Sequence, residues 1–134
     1  MPTTTKQVFH PSLRYRDARA AMTFLENAFG FETKAAYEDD AGRLQHVEMT
    51  FRGGMVMFGA VRDDTDYGRI AQPPGSSAIY VVVDDAYALP DRAVAAGADV
   101  VMPLTDQDYG SRDFAVRDPE GNLWSFGTYD PWAA

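Results

Sequence analysis

One pattern occurs twice in this chain, about 67 residues apart, and this repeat limits the possible folds more than any other feature. In each copy an apolar strand-like segment reaches an Asp, a helix-like segment follows, and a Gly ends it. The matching positions are Asp17 with Asp84, Gly30 with Gly97, and, at an offset of 68, Met55–Gly59 with Leu123–Gly127. A repeat of about half the chain length indicates a supersecondary unit that cannot close its core alone, so two copies share one. We therefore expect paired modules with a cleft between them, where a ligand would bind.

Composition and charge limit the classes of function. The chain has 134 residues, 46% of them apolar and 24% charged, which is typical of a single soluble globular domain. Its 12 basic and 20 acidic residues leave a net charge of −8, which repels nucleic-acid backbones and anionic lipid surfaces. The absence of cysteine excludes disulfides, thiolate metal ligands and a cysteine nucleophile.

The sequence also lacks targeting and membrane signals. Met1–Lys6 has no apolar stretch, and no segment approaches the length needed to span a membrane. We therefore expect no nucleic-acid partner, no membrane partner and a cytoplasmic location.

Hydrophobic periodicity predicts the element order β-α-β-β-β in each copy. The expected boundaries are about 7–60 for module one, about 61–76 for the linker and about 77–129 for module two, within a single domain of residues 1–134. The first strand is predicted over Gln7–Tyr15, and Asp17 is the predicted N-cap of an amphipathic helix that ends at Gly30. In module two, Pro90 predicts a helix that starts near that residue, and 103–111 is predicted to be a loop.

Two segments carry a family resemblance. One is Arg112–Asn122, which contains the turn Asp-Pro-Glu-Gly-Asn, and the other is the opening strand followed by Asp17, a helix and the Phe-Gly-Phe sequence at 29–31. With these segments the chain resembles the vicinal oxygen chelate (VOC) superfamily, which groups glyoxalase I, bleomycin resistance proteins and extradiol dioxygenases. It is most similar to the bleomycin-resistance, glyoxalase-like branch, and the resemblance covers residues 8–129.

This resemblance has consequences for fold and assembly. It implies an α+β fold in which two tandem βαβββ modules form a curved mixed sheet around a cleft, with the helices on the outer face. It also implies a homodimer, because two chains of this superfamily commonly complete each cleft together. The sequence adds an indication of its own, an aromatic tail over 126–132 that would be unfavourable if it were exposed.

The resemblance also implies where a metal would bind. In metal-dependent members, the first and last strands of each module supply four ligands, and these positions correspond to His10, Met57, Ser77 and Ser125. The position of Ser125 is typically Glu in the metalloenzymes. A divalent first-row metal needs three or four nitrogen, carboxylate or thiolate donors, and one imidazole does not meet that need. We therefore predict no metal and no other cofactor, while a displaced set of His10, His46 and Glu48 stays open as an alternative.

Without a metal, the expected cleft offers a surface for binding. Methionine adapts to irregular aromatic ligands, and tyrosine supplies a stacking face with a polar end. The candidate ligand-binding residues are His10, His46, Glu48, Met55, Met57, Ser77, Tyr109, Arg112, Leu123 and Ser125. For some residues a structural role is the commoner one: Arg112 would pair with a carboxylate, and Trp124 is expected in the core.

The predicted function is a metal-free small-molecule-binding protein that sequesters an aromatic or cationic ligand such as an antibiotic. No nucleophile–base set is visible, so no residue is assigned as catalytic. Two alternatives remain. One is a glyoxalase-like lyase, epimerase or isomerase that uses the displaced metal set or acid–base residues of the same cleft. The other is a structural or regulatory dimer whose cleft is vestigial.

Overall fold

The computed structural model describes residues 7–133, so the expectation for Met1–Lys6 concerns residues outside the described range. The β-α-β-β-β order occurs twice, with one short helix between the copies. The elements are β1 Ser12–Tyr15, α1 Ala18–Phe29, β2 Glu32–Glu38, β3 Leu44–Phe51, β4 Gly54–Ala60, α2 Asp66–Ile70, β5 Ala78–Val82, α3 Leu89–Ala95, β6 Asp99–Asp106, β7 Arg112–Arg117 and β8 Leu123–Gly127. The predicted α+β class is confirmed. None of the helices in the described range is long and apolar enough to cross a membrane.

The residues form two compact units. The first contains the described residues up to Glu26 together with Gly30–Pro74, and the second contains Asn27–Phe29 and the residues from Gly75 onward. Each unit has one four-stranded mixed sheet, with strand order β1-β4-β3-β2 in the first and β5-β8-β7-β6 in the second.

The strand register repeats the sequence offset of 68. Ser12 pairs with Met57 in the parallel pair of the first sheet, and Tyr80 pairs with Ser125 in that of the second. Both numbers rise by 68 (12 to 80, 57 to 125), which is the offset read from the closing strands. The internal repeat is therefore present in the backbone hydrogen bonding as well as in the residue pattern.

The predicted boundaries of α1 are confirmed by its caps. The Asp17 side chain accepts a hydrogen bond from the Ala20 backbone N–H at 3.0 Å. Gly30 ends the helix in the left-handed conformation with φ 77°, which a residue with a Cβ adopts only at a cost. Phe24, Leu25 and Ala28 lie on its buried side, as the apolar spacing predicts.

Strand alternation gives each sheet a buried face and an opposite face, which we call the first and second open faces. In the first unit the buried face carries Leu13, Val47, Met49 and Phe58. In the second unit the rings of Phe29, Trp124, Phe114 and Phe126 pack together, with the centroid of Phe126 4.5 Å from that of Phe29 and 5.2 Å from that of Phe114. Trp124 is a core residue, as expected.

Two boundaries differ from the prediction, and proline explains both. β1 begins at Ser12 and not near Gln7, because Pro11 has no N–H to donate to a sheet ladder. β6 continues to Asp106, where a loop over 103–111 was expected. Pro103 is tolerated there because β6 is an edge strand and its pairing shifts register between Met102 and Thr105.

The linker contains a helix that the sequence reading did not predict. The side chain of Thr65 caps α2 by accepting a hydrogen bond from the Gly68 N–H at 3.0 Å. The helix has only five residues, too few for a clear apolar periodicity.

The turn at 118–122 is held by two buried polar side chains. Asp118 accepts hydrogen bonds from the N–H groups of Glu120 and Asn122, each at 3.0 Å. The side-chain oxygen of Asn122 accepts from the backbone N–H groups of Gly75 and Ser77, at 3.0 and 3.2 Å. The motif that carries the family resemblance therefore shapes a hairpin and secures the chain entering β5.

Candidate functional site

The first open face brings together four of the predicted ligand-binding residues. Met57 pairs with Glu48 across β3 and β4, and Met55 pairs with Thr50. His46 lies two residues from Glu48 on β3 and shares its face. All four predicted residues, His46, Glu48, Met55 and Met57, are half-buried. The face thus combines soft apolar side chains with an acid and an imidazole.

Glu48, the acid among these four residues, contacts two basic side chains. His46 Nε2 lies 3.0 Å from Glu48 Oε2, and Lys34 Nζ lies 3.5 Å from Glu48 Oε1. The hydrogen bond from His46 is the main cause that lowers the pKa of Glu48, with Lys34 contributing through its charge. Glu48 is therefore ionised at neutral pH, and it is a negative group of the first open face.

Tyr37 belongs to this group, although the sequence reading did not select it. Its ring stacks on that of His46, with centroids 6.1 Å apart and planes at 23°. The two residues are cross-strand partners of β2 and β3. Counting outward from the hairpin turn after β2 could have indicated which residue faces His46. The pairing shifts register between Tyr37 and Glu38, however, and alternation alone does not reveal such a shift.

His10 is exposed and contacts this group through the backbone of Met55. Its Nδ1 lies 3.4 Å from the carbonyl oxygen of Met55. Over the part of the chain that the structure describes, no three His, Asp or Glu side chains come together in a group that could hold a metal ion. The displaced set of His10, His46 and Glu48 is therefore not assembled in this conformation.

The second open face carries three of the other predicted residues. Leu123 and Ser125 lie on β8, and Ser77 immediately precedes β5; all three are half-buried. The carbonyl of Ser77 accepts a hydrogen bond from the N–H of Leu123 at 2.9 Å, so its backbone extends the strand pairing. Ser125 lies between Tyr80 and Ala115 in the register.

Asp113, a buried carboxylate at the end of the second open face, lies among hydroxyl groups and was not selected from the sequence. Asp113 is only 7% exposed and accepts hydrogen bonds from the hydroxyls of Ser111 and, at 3.1 Å, Tyr109. The Tyr80 hydroxyl donates to the carbonyl of Tyr129 at 2.8 Å. Desolvation raises the pKa of both Tyr80 and Tyr109, and the Asp113 charge adds to it. Because these residues come from β5, β7 and two loops, only the tertiary structure brings them together.

Tyr109 and Arg112, the remaining predicted residues, make local contacts. The ring of Tyr109 meets that of Tyr129 edge-on, with centroids 5.8 Å apart, and its side chain is 64% exposed. Arg112 forms a two-point ion pair with Asp106, at 2.7 and 3.3 Å, which is the structural role considered the commoner one.

Comparison with known families agrees with this fold. A family model described as Glyoxalase/Bleomycin resistance protein/Dioxygenase superfamily matches residues 7–126, which is most of the chain. The chain belongs to this superfamily. The VOC resemblance read from the 118–122 turn and the opening strand–helix segment is thereby confirmed.

The chain is similar to several proteins, some of which have solved structures. TioX from Micromonospora sp. ML1 is 31% identical to this chain in sequence. Its crystal structure superposes with a TM-score of 0.73 and covers 90% of this chain and 97% of TioX. A glyoxalase/bleomycin resistance protein/dioxygenase family enzyme from Burkholderia phytofirmans has a TM-score of 0.69 at 19% identity, over 88% of this chain and 94% of that one, and shows the fold alone. The uncharacterized protein Rv0887c of Mycobacterium tuberculosis is 30% identical over 95% of this chain and 77% of that relative.

The metal used by many members of the superfamily does not fit the residues present here. The four corresponding positions carry one exposed imidazole, one thioether and two hydroxyls, at His10, Met57, Ser77 and Ser125. A thioether is a poor ligand for hard or borderline ions, and a neutral hydroxyl is a weak one. This donor set lacks the carboxylate and the additional imidazoles that a divalent first-row ion requires.

Proposed function

We propose that this member of the superfamily is a metal-free small-molecule-binding protein that sequesters an aromatic or cationic ligand, such as an antibiotic, in the cytoplasm. The observation that carries the proposal is the first open face, where two methionines lie beside an ionised carboxylate. Met55 and Met57 are half-buried, so each keeps accessible surface. Thioether side chains are polarisable and flexible, and they adapt to the irregular outline of an aromatic ligand.

The charge of this face suits a cation. Glu48 is ionised, and its contact with Lys34 involves a lysine side chain that is 60% exposed. An exposed ion pair of this kind contributes little free energy, so a ligand cation can replace Lys34 at small cost. Tyr37, stacked on His46, adds an aromatic surface at the edge of the same face.

Binding is favoured over nucleophilic catalysis by the partners of the side chains. His46 contacts Glu48, and His10 contacts a backbone carbonyl. Ser111 donates its hydroxyl to Asp113. Among residues 7–133 these contacts leave no serine hydroxyl paired with an imidazole base, which a serine nucleophile needs.

Calorimetric titration with proflavine, a planar aromatic cation, tests the proposal. Acridine, which has the same ring system and is uncharged at pH 8, is the matched ligand. We expect proflavine to bind more tightly than acridine, and Glu48→Gln to weaken proflavine binding roughly tenfold. Asp40→Asn, at an exposed carboxylate in the β2–β3 turn, is the control and should leave binding unchanged. No proflavine binding, or equal losses in the two variants, would contradict the proposal.

A second candidate function is a metal-free lyase, epimerase or isomerase, favoured by the 3.0 Å contact between His46 and Glu48. An imidazole held by a carboxylate can move a proton at a carbon next to a carbonyl. Chiral chromatography coupled to mass spectrometry, which resolves isomers as well as cleavage products, separates the two functions when a bound ligand is analysed after prolonged incubation. A product formed by the unmodified protein and not by His46→Ala supports the enzyme, whereas an unchanged ligand supports sequestration.

We also propose that the protein is a homodimer. The chain exposes large aromatic side chains near both ends of the described range: Phe9 is 83% exposed and Trp132 is 95% exposed. Apolar surface of this kind is more stable when a partner covers it, and a second copy is the partner that the superfamily favours.

A further inference from the structure

A cavity of about 220 Å³ lies within the first unit, and its lining does not include the methionines of the first open face. It is bounded by the end of β1, the residues after β4, the short helix α2 and the segment 71–74. Its lining includes three arginines, Arg14, Arg16 and Arg62, and apolar walls are supplied by Val61 and Pro73.

The charge of this cavity is opposite to that of the protein as a whole. Three of the chain's 12 basic residues line it, and none of the lining residues, all within the described range, is one of its 20 acids. In a chain with a net charge of −8, such a grouping of guanidinium groups attracts a small anion locally.

Arg14 is positioned by two neighbours. Its guanidinium carbon lies 4.9 Å from the centre of the Tyr67 ring, within the range of a cation–π contact. A Cβ on Gly59 would collide with the carbonyl oxygen of Gln45 and with the Arg14 guanidinium, so glycine at this position leaves room for that side chain. The Nε of Arg14 is buried and has no hydrogen-bond acceptor among residues 7–133. A buried charged donor without an acceptor is unfavourable, and an oxygen of a bound anion would remove that cost.

Arg62 is fixed on another side of the cavity. It makes a two-point ion pair with Asp64, at 2.7 and 2.9 Å, and its Nη1 donates to the side-chain oxygen of Gln45 at 3.3 Å. A Cβ on Gly68 would lie 2.5 Å from the carbonyl oxygen of Arg62, so glycine is also needed where α2 approaches this residue. Since Asp64 neutralises much of the charge of Arg62, Arg14 is the arginine best suited to bind a ligand oxygen.

We propose that this cavity binds a small organic carboxylate, with its oxygens on the Arg14 guanidinium and its apolar body against Val61 and Pro73. A carboxylate matches the planar fork of an arginine. The volume is below the roughly 300–1,000 Å³ of pockets for drug-sized ligands, so the carboxylate is a small one. An inorganic phosphate has no apolar part to cover the proline and valine walls. This site uses residues other than those of the proposed aromatic-ligand site. The benzoate test and the proflavine test can therefore succeed or fail independently.

Calorimetric titration with benzoate tests the site, with benzamide as the uncharged match and inorganic phosphate as the competing oxyanion. We expect benzoate to bind, benzamide to bind much more weakly, and added salt to weaken benzoate binding. Arg14→Met, which keeps a long side chain over Tyr67, should lower benzoate affinity about tenfold or more. Arg43→Met removes an exposed arginine that pairs with Asp39 outside the cavity, and it should leave the affinity unchanged.

Amide spectra of the unmodified protein keep the test independent of how well the Arg14 variant folds. Benzoate should shift the backbone amide signals of Gly59 and Gly68 and leave those of Gly110 and Gly121, in the second unit, in place. Any one of four results would overturn the proposal. These are no benzoate binding, equal losses of affinity in the two arginine variants, amide shifts confined to the second unit, and tighter binding of phosphate than of benzoate.

Discussion

Trp124 donates its indole N–H to the carboxylate of Asp118 at 3.0 Å, and the same carboxylate closes the hairpin turn before β8. Both side chains are buried, at 1% and 4% exposure. One carboxylate therefore connects the main turn motif of the second unit to its largest core side chain. Its negative charge is accommodated because N–H donors surround it.

Removal of this carboxylate is predicted to destabilise the fold strongly. Asp118→Ala leaves the indole N–H and the backbone N–H groups of Glu120 and Asn122 without their acceptor. Each buried unpaired donor costs about 1–3 kcal/mol, so we expect a loss of about 3 kcal/mol or more in the free energy of unfolding. Urea unfolding measures it, with Asp108→Ala, at an exposed loop aspartate, as the control. A loss below about 1 kcal/mol would show that water replaces the carboxylate.

Gly127→Ala is predicted to destabilise the second unit by steric collision. A Cβ there would collide with the Asp113 carboxylate and lie 2.6 Å from the hydroxyl oxygen of Tyr80. Overpacking of this kind costs about 1–3 kcal/mol. Gly54→Ala is the matched control, since its Cβ would lie 3.0 Å from the flexible end of Gln7. Thermal unfolding should show a large loss only for Gly127→Ala, and equal melting temperatures would contradict the packing described here.

The pairing of Asp64 with Arg62 is predicted to appear in a pH titration. Hydrogen bonds from the Arg62 side chain lower the pKa of Asp64 from 3.8 to about 2. Because the folded pKa is the lower one, the stabilisation is present above pH 3.8 and is lost as pH falls towards 2. Carboxyl NMR should give a midpoint near 2 in the unmodified protein and a higher one, closer to 3.8, in Arg62→Met. An unchanged midpoint in that variant would contradict this cause.

The proposed dimer is predicted to depend on the exposed aromatic residues. Sedimentation analysis should show a dimer for the unmodified protein, and Trp132→Ser should weaken association about tenfold because apolar contact area is lost. Tyr87→Ser, at another exposed aromatic side chain that is 70% exposed and distant in sequence from both ends, is the control. A monomer at all concentrations would reject the dimer, and equal effects of the two variants would reject the role of Trp132.

Local signals were sufficient for much of the fold and for part of the site. Asp17 and Gly30 marked the ends of α1, because caps act through the backbone of a few adjacent residues. Alternation along β3 placed His46 and Glu48 on one face, because side chains of a strand point to opposite faces in turn. The Arg112 ion pair and the burial of Trp124 followed from residue type and position.

Contacts between strands could not be read in the same way. The stacking of Tyr37 on His46 depends on a register shift in the β2–β3 pair. Arg14 lies close to Gly59, and Asp113 lies close to Gly127, because of which strands are neighbours in the two sheets. The residue pattern of a single strand shows neither which strands lie beside it nor where a bulge occurs.

The sequence by itself determined the βαβββ repeat, the caps of the first helix, the hairpin motif at 118–122 and the donor set that does not suit a divalent metal. These properties depend on residue type, on spacing and on interactions within a few residues. Only the tertiary structure decided which side chains of different elements lie together: Tyr37 with His46, Asp113 with Tyr80, and Arg14 in a cavity that no carboxylate of the described residues lines. The physical reason is that such groups form between different strands and loops, where register and packing set the distances.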